Sequence, residues 1–204
     1  MASLRAIALA AMLGWAAPAA ADPVGRWSGH IAEASLRFGI PQEWIRRVMR
    51  IESGGHTVMD GRPTVSRAGA MGLMQLMPGT WREMRTLLRL GPDPHDPRDN
   101  ILAGTAYLRA MYDRFGYPGL FAAYNAGPAR YAVHLATGRA LPAETRAYMR
   151  KAQAGFARPL DLKAPGALPL FAARSPNRSF VVPPLANRPS TPDGLFVQLS
   201  TARP

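Results

Sequence analysis

Residues 42–53 read Gln-Glu-Trp-Ile-Arg-Arg-Val-Met-Arg-Ile-Glu-Ser, and the spacing of their apolar side chains decides the fold class. Ile45, Val48, Met49 and Glu52 fall at i, i+3, i+4 and i+7, which lays them along one stripe of an α-helix. Pro41 precedes this segment, where a first-turn proline is tolerated. Glu52 therefore sits on the apolar stripe, at the C-terminal end of its helix. A carboxylate in that position is costly unless paired or protonated, and the negative pole of the helix dipole also favours the neutral acid. A carboxyl group still protonated near neutral pH is suited to donating a proton to a leaving oxygen. The competing reading pairs Glu52 with Arg47 or Arg50 at the edge of the core.

Helical periodicity extends on both sides of this stretch. Ser28 is placed to cap a helix whose Ile31, Ala34, Ser35 and Phe38 share one side and which stops at Gly39. Residues 54–72 are rich in glycine and turn signals, including Asp60-Gly61 and Pro63, and read as a loop. Thr80 and Glu83 have capping-box spacing ahead of Trp81, Met84, Leu87 and Leu88, with Gly91 closing that helix. Asp96, Pro97 and Asp99 open a longer helix carrying Ile101, Thr105, Leu108, Met111, Tyr112 and Phe115 as far as Gly116. Shorter helices follow over 118–125, 128–137 and 142–154. No period-two alternation lasts long enough for a strand, so the fold class is mainly α.

The whole chain has 204 residues, 48% of them hydrophobic, with no cysteine and a formal charge of +12. That length suits one ordinary domain with attachments, and the apolar content suffices for a core. The absence of cysteine excludes disulfide scaffolds, Cys-ligated zinc and thiol nucleophiles. His30, His56, His95 and His134 show no ligand spacing, so no metal is expected. Arg5, the apolar run over residues 6–17 and Ala19-Ala20-Ala21 before Asp22 read as an export signal spanning residues 1–21. The run is shorter than the ~20 residues of a spanning helix and Pro18 breaks it, so no stable membrane insertion is expected. Nine of the 20 prolines lie in residues 156–204, which read as a flexible, disordered, basic tail, leaving 22–155 as the domain. The positive charge suits a polyanion. No basic-aromatic motif points to nucleic acid, and export favours a cell-wall polymer.

Four motifs then occur in order: Glu52-Ser53; residues 69–78, Gly-Ala-Met-Gly-Leu-Met-Gln-Leu-Met-Pro, with Ser66 ahead of them; residues 123–128, Ala-Tyr-Asn-Ala-Gly-Pro; and residues 144–148, Glu-Thr-Arg-Ala-Tyr. Over residues 28–151 this series resembles the lysozyme-like domain of the soluble lytic transglycosylases. The resemblance implies a helical lysozyme-like fold that cleaves the β-1,4 bond between N-acetylmuramic acid and N-acetylglucosamine in peptidoglycan. It implies Glu52 as catalytic acid and base, with Ser53, Ser66, Gln75, Met77, Tyr124, Asn125, Glu144 and Tyr148 at the sugar groove. It also implies no cofactor and a product ending in 1,6-anhydromuramic acid. Tyr124 with Asn125 also reads as a satisfied core pair, Glu144 as a solvent partner of Arg146 or Lys151, and Met71 and Met74 as core filling. No carboxylate adjacent in sequence offers itself as a second catalytic acid.

The loop after Ser53 is a few residues longer than is common in the family and lacks its aromatic-Asn-Pro run. The expectation is a periplasmic, monomeric enzyme acting on glycan strands. Two other readings stay open. One is a goose-type lysozyme-like hydrolase. The other is a non-catalytic wall-binding factor for an envelope-spanning secretion or conjugation machine.

Overall fold

A computed structural model describes residues 22–155, so the expected leader and the proline-rich tail lie outside the described residues. Six helices follow in order: α1 Ser28–Phe38, α2 Gln42–Glu52, α3 Pro78–Leu88, α4 Pro97–Ala126, α5 Pro128–Thr137 and α6 Ala143–Gln153. Between α2 and α3 lie two short strands, β1 Val58–Met59 and β2 Arg62–Pro63.

Helix α4 is the centre of the packing and contacts α1, α3, α5 and α6, while α2 packs on α1 and α6. Its first half buries Asn100, Ile101, Leu102, Ala103, Thr105, Ala106, Leu108 and Met111, an almost all-round apolar surface that only a core helix shows. The stripe read on α2 is borne out, since Ile45, Val48 and Met49 are all fully buried. Trp44 adds to it, packing its indole on Tyr117, Phe121 and Tyr112 at ring-centroid distances of 5.3, 5.7 and 5.8 Å.

Residues Gly116 and Tyr117 leave helical geometry inside α4, at φ/ψ of 63°/−172° and −89°/138°, just before Pro118. The break separates two helical halves. In a straight helix Tyr107 and Tyr124 would stand about 25 Å apart along the axis. Their ring centroids are 5.3 Å apart, so the second half turns back against the first.

Several helix ends differ from the sequence reading. Ser28 is the first residue of α1 instead of its cap, because a 3₁₀ turn over Gly25–Trp27 leads straight into it. Thr80 and Glu83 form no capping box: α3 starts at Pro78, with Met77 in the cap position and no side-chain cap. That helix ends at Arg89, which takes the left-handed conformation at φ 56°, so Gly91 does not close it. Gly91 instead gives its N–H to Asp99 Oδ2 at 2.7 Å. At α4 the expected start holds, with Asp96 Oδ1 accepting from the Asp99 N–H at 2.8 Å.

The segment expected as a loop after α2 holds a two-stranded hairpin, whose strands of two residues are too short to show a period-two pattern. Val58 pairs with Pro63 and Met59 with Arg62, around Asp60 and Gly61, both left-handed at φ 50° and 73°. That is the conformation a two-residue Asp-Gly hairpin loop requires.

Candidate active site

Glu52 ends α2, as its stripe position requires, and is half-buried. Part of the residue is open to solvent, yet enough protein surrounds its carboxyl that desolvation is the largest influence on it. Burial and the neighbouring negative charge of Glu144 push its pKa up to about 8, against a hydrogen bond from Tyr148 that works the other way. Neither Arg47 nor Arg50, the partners of the competing reading, is among the groups that set its pKa. Arg50 pairs with Asp22 at 2.8 Å, and Arg47 donates to the Lys151 carbonyl at 3.2 Å.

Glu144 and Tyr148 lie one turn apart on α6 and both act on Glu52, Glu144 through its charge and Tyr148 through its hydroxyl, as residues at i and i+4 on one helix face can. Tyr148 is 1% exposed and gives its hydroxyl proton to the Glu52 carboxylate; its own pKa is raised by burial first and then by the charge of Glu52. Glu144 is half-buried, with one carboxyl oxygen, Oε1, enclosed and without a hydrogen-bond partner within the described protein. Arg146, its suggested solvent partner, donates instead to the Leu141 carbonyl at 2.6 Å. The structure thus supplies a second carboxylate near Glu52 that sequence adjacency could not reveal, 92 positions further along the chain.

Tyr124 comes from the second half of α4 and is 8% exposed. Its hydroxyl donates to the Met74 carbonyl at 2.8 Å, and its pKa is raised by burial, then by Glu52, then by Tyr107. Asn125, the next residue, is half-buried.

The loop before α3 joins the site through Met74, whose carbonyl accepts from the Tyr124 hydroxyl. Residues 71–76 close on themselves through paired backbone bonds between Met71 and Leu76, at 2.9 and 3.0 Å. Gln75 stands in this turn with φ 48° and gives one amide hydrogen to the Gly72 carbonyl at 2.8 Å. Its side-chain carbonyl remains to meet a ligand. Met77 is half-buried just beyond, whereas Met74 is fully buried, as the core reading of Met74 expected.

Ser53 and Ser66 serve the same loop. Ser53 Oγ donates to the Leu73 carbonyl at 2.8 Å and accepts from the Gly55 N–H at 3.2 Å. Ser66 Oγ accepts from the Ala70 N–H at 3.0 Å. Both serines are 7% exposed.

Tyr107 was not among the residues singled out in the sequence. It is half-buried, lies against the Tyr124 ring, and has its pKa pushed up to about 12 by burial and by the charge of Glu83. Glu83, expected to cap α3, therefore sends its charge toward the aromatic side of the site. Helical spacing alone could not have exposed this pair, because the stripe through Thr105, Leu108 and Met111 runs past Tyr107.

Among the described residues no group of three or more His, Asp or Glu side chains is arranged to hold a metal ion. No helix among them is long and apolar enough to cross a membrane.

The chain resembles known proteins in sequence and in fold. Residues 29–145 match the Transglycosylase SLT domain, and the chain belongs to that family. It is 35% identical over 91 residues to a transglycosylase of Enterobacteria phage PRD1, covering 45% of this chain and 31% of the phage protein. To the soluble lytic murein transglycosylase of Escherichia coli (strain K12) it is 39% identical over 98 residues, covering 45% of this chain and 14% of that one. In structure it resembles the 70 kDa soluble lytic transglycosylase from Escherichia coli, with a TM-score of 0.53 at 30% identity, over 62% of this chain and 22% of that one. The chain spans less than a third of these relatives' own lengths. The lysozyme-like helical class expected from the motifs is thus the class observed.

Proposed function

We propose that this protein is a peptidoglycan lytic transglycosylase that cleaves the bond between N-acetylmuramic acid and N-acetylglucosamine with Glu52 as its acid and base. The observation that carries the reading is the carboxyl of Glu52, half-buried at a helix end with its pKa up at about 8, inside a domain of the SLT family. Such a group still holds its proton at neutral pH and can deliver it to the glycosidic oxygen. As the C1–O bond breaks, its electrons pass to the leaving N-acetylglucosamine oxygen and positive charge develops on the muramic ring. The Glu52 carboxylate then takes the proton of the muramic 6-hydroxyl, and that oxygen closes on C1. Ring closure within one sugar has the advantage of proximity, so no activated water is required.

In this mechanism Tyr148 steadies the carboxylate between its two steps by donating to it. Gln75, Met77, Asn125 and Glu144 contact the sugars, and Ser66 supports them with a hydroxyl proton free to donate. Ser53 contributes through the loop backbone that it anchors. Tyr124 shapes the site around the developing cation. Periplasmic export through residues 1–21 and action as a monomer complete the proposal. Incubation of the purified protein with isolated sacculi tests it: soluble muropeptides are expected. Binding without release would favour the non-catalytic assembly factor for a secretion or conjugation machine.

A hydrolytic reading has one observation in its favour, the charge of Glu144 beside Glu52. Hydrolases commonly place a second carboxylate ~5–9 Å from the acid, to attack carbon or activate water. Glu144→Gln separates the two. In the transglycosylase, turnover falls by about 10-fold and the alkaline limb of kcat/KM moves to lower pH, because a charge that holds the Glu52 proton has gone. A loss of about 10³-fold or more with no movement of the limb would identify Glu144 as an essential second carboxylate.

The hairpin has its own test. The Thr57 carbonyl accepts from the Thr64 N–H at 2.9 Å, so deleting residues 58–63 joins two points that already meet. The shortened protein is expected to fold and to release fragments of altered length distribution. An unchanged distribution would remove the hairpin from glycan selection.

A further inference from the structure

Asn100 is fully buried near the start of α4, and all three of its side-chain contacts go to the polypeptide around the site loop. Its Oδ1 accepts from the Met74 N–H at 2.7 Å, and its Nδ2 donates to the Met71 carbonyl at 3.1 Å and the Pro94 carbonyl at 2.8 Å. The partners fix which end of the amide is which, since a carbonyl only accepts and an N–H only donates. Two glycines let the loop come this close. A Cβ on Gly72 would lie 2.4 Å from Asn100 Nδ2, and one on Gly104 would lie 2.5 Å from the Met74 Cβ.

The residue held in this way, Met74, receives the hydroxyl of Tyr124. The same logic fixes the phenol: against a carbonyl oxygen 2.8 Å away it must be the donor, so its one proton is committed there. We propose that Asn100 is a positioning residue that holds the Met74 carbonyl where it captures the Tyr124 proton, so that the phenol oxygen faces the Glu52 side of the site only as an acceptor. The consequence is chemical. An acceptor-only oxygen favours the protonated form of a neighbouring acid and is compatible with a developing sugar cation, whereas a donating phenol would favour the carboxylate. Tyr124 and Tyr148 thereby differ in what they can offer Glu52: the phenol of Tyr124, its proton given to Met74, has only lone pairs left, while the hydroxyl of Tyr148 favours the ionised acid as a donor. The influence of Glu52 on both tyrosines agrees with this placement.

The proposal rests on Glu52 being the reacting acid, so one of its readouts does not depend on turnover. Titration of the Glu52 side-chain carboxyl by carbon NMR is compared in the mature wild-type protein, Asn100→Asp, Tyr124→Phe and the double variant. Asn100→Asp keeps an acceptor for the Met74 N–H but sets an oxygen against two carbonyls, which loosens the loop and frees the phenol to donate; the charge it adds would by itself raise the Glu52 pKa, so a fall reports the phenol and not the charge. The Glu52 pKa is then expected to fall in Asn100→Asp, to fall in Tyr124→Phe as an acceptor is lost, and to fall no further in the double variant than in Tyr124→Phe alone.

In parallel, kcat for Asn100→Asp falls by about 30-fold with KM within about 3-fold, and the two substitutions combine far less than additively. A rise or no change of the Glu52 pKa in Tyr124→Phe overturns the proposal, and that variant decides the matter even if Asn100→Asp does not fold. Additive losses with an unmoved Glu52 pKa would leave Asn100 a purely structural residue and equally overturn it. A wild-type protein inactive on peptidoglycan would instead defeat the proposed function, while the titrations would still report on the phenol.

Discussion

Glu52→Gln is expected to abolish glycan release, with turnover reduced by about 10⁴-fold or more, because the amide can neither give the proton to the leaving oxygen nor take one from the 6-hydroxyl. The variant keeps its fold and its binding to sacculi. It also becomes more stable, and the gain depends on pH in a direction set by the raised pKa. Below about pH 4.5 the carboxyl is protonated whether the chain is folded or not, so substitution changes little. As the pH rises from 4.5 to about 8, the unfolded chain releases a proton that the folded protein retains, and the wild type loses stability. By pH 8 the glutamine variant should be more stable by about 2–4 kcal/mol, a figure reduced for the part of Glu52 open to solvent. Denaturant unfolding at pH 4.5 and pH 8 measures this, and an equal difference at both would show that the carboxyl is not desolvated. Retained cleavage would remove Glu52 from the chemistry.

Tyr148→Phe is expected to have the next largest effect, about 10²-fold on kcat. The hydroxyl that it removes donates to the Glu52 carboxylate and works against burial. Without that donor the carboxylate, which must form and then act as base, is less stable. The alkaline limb of kcat/KM should therefore move upward from its wild-type position near pH 8, opposite to the movement expected for Glu144→Gln. Because the ring is fully buried and phenylalanine fills the same volume, the loss does not follow from unfolding. A limb that stays in place or moves downward would show that the phenol does not stabilise the ionised acid.

These two residues illustrate what the sequence could and could not reveal. The periodicity of α2 was sufficient to put Glu52 on a buried stripe, because three apolar neighbours at helical spacing leave it no other face. The i, i+4 spacing was sufficient to put Glu144 and Tyr148 on one side of α6. That this side meets Glu52 depends on α6 packing against α2, a long-range contact that no local pattern encodes.

Tyr107 and Asn100 were missed for a related reason. Tyr107 meets Tyr124 only because α4 breaks at Gly116 and Tyr117, and a reading that stops one helix and starts another does not say how they fold together. Asn100, in the first turn after the capping Asp96, passes for part of a helix start; its role emerges only when the 71–76 loop closes around it. The incorrect caps at Ser28 and Thr80 have a simpler cause. Residues of the right type stood near each helix start, but a 3₁₀ turn and a first-turn proline had already begun those helices.

The most direct test of the central claim is mass spectrometry of the fragments that the wild-type protein releases from purified sacculi. If one carboxyl group serves both steps while the sugar closes on its own 6-hydroxyl, muramic ends appear in the 1,6-anhydro form, lighter by one water than reducing ends. Fragments ending in reducing muramic acid would show that water completes the reaction and would contradict the account.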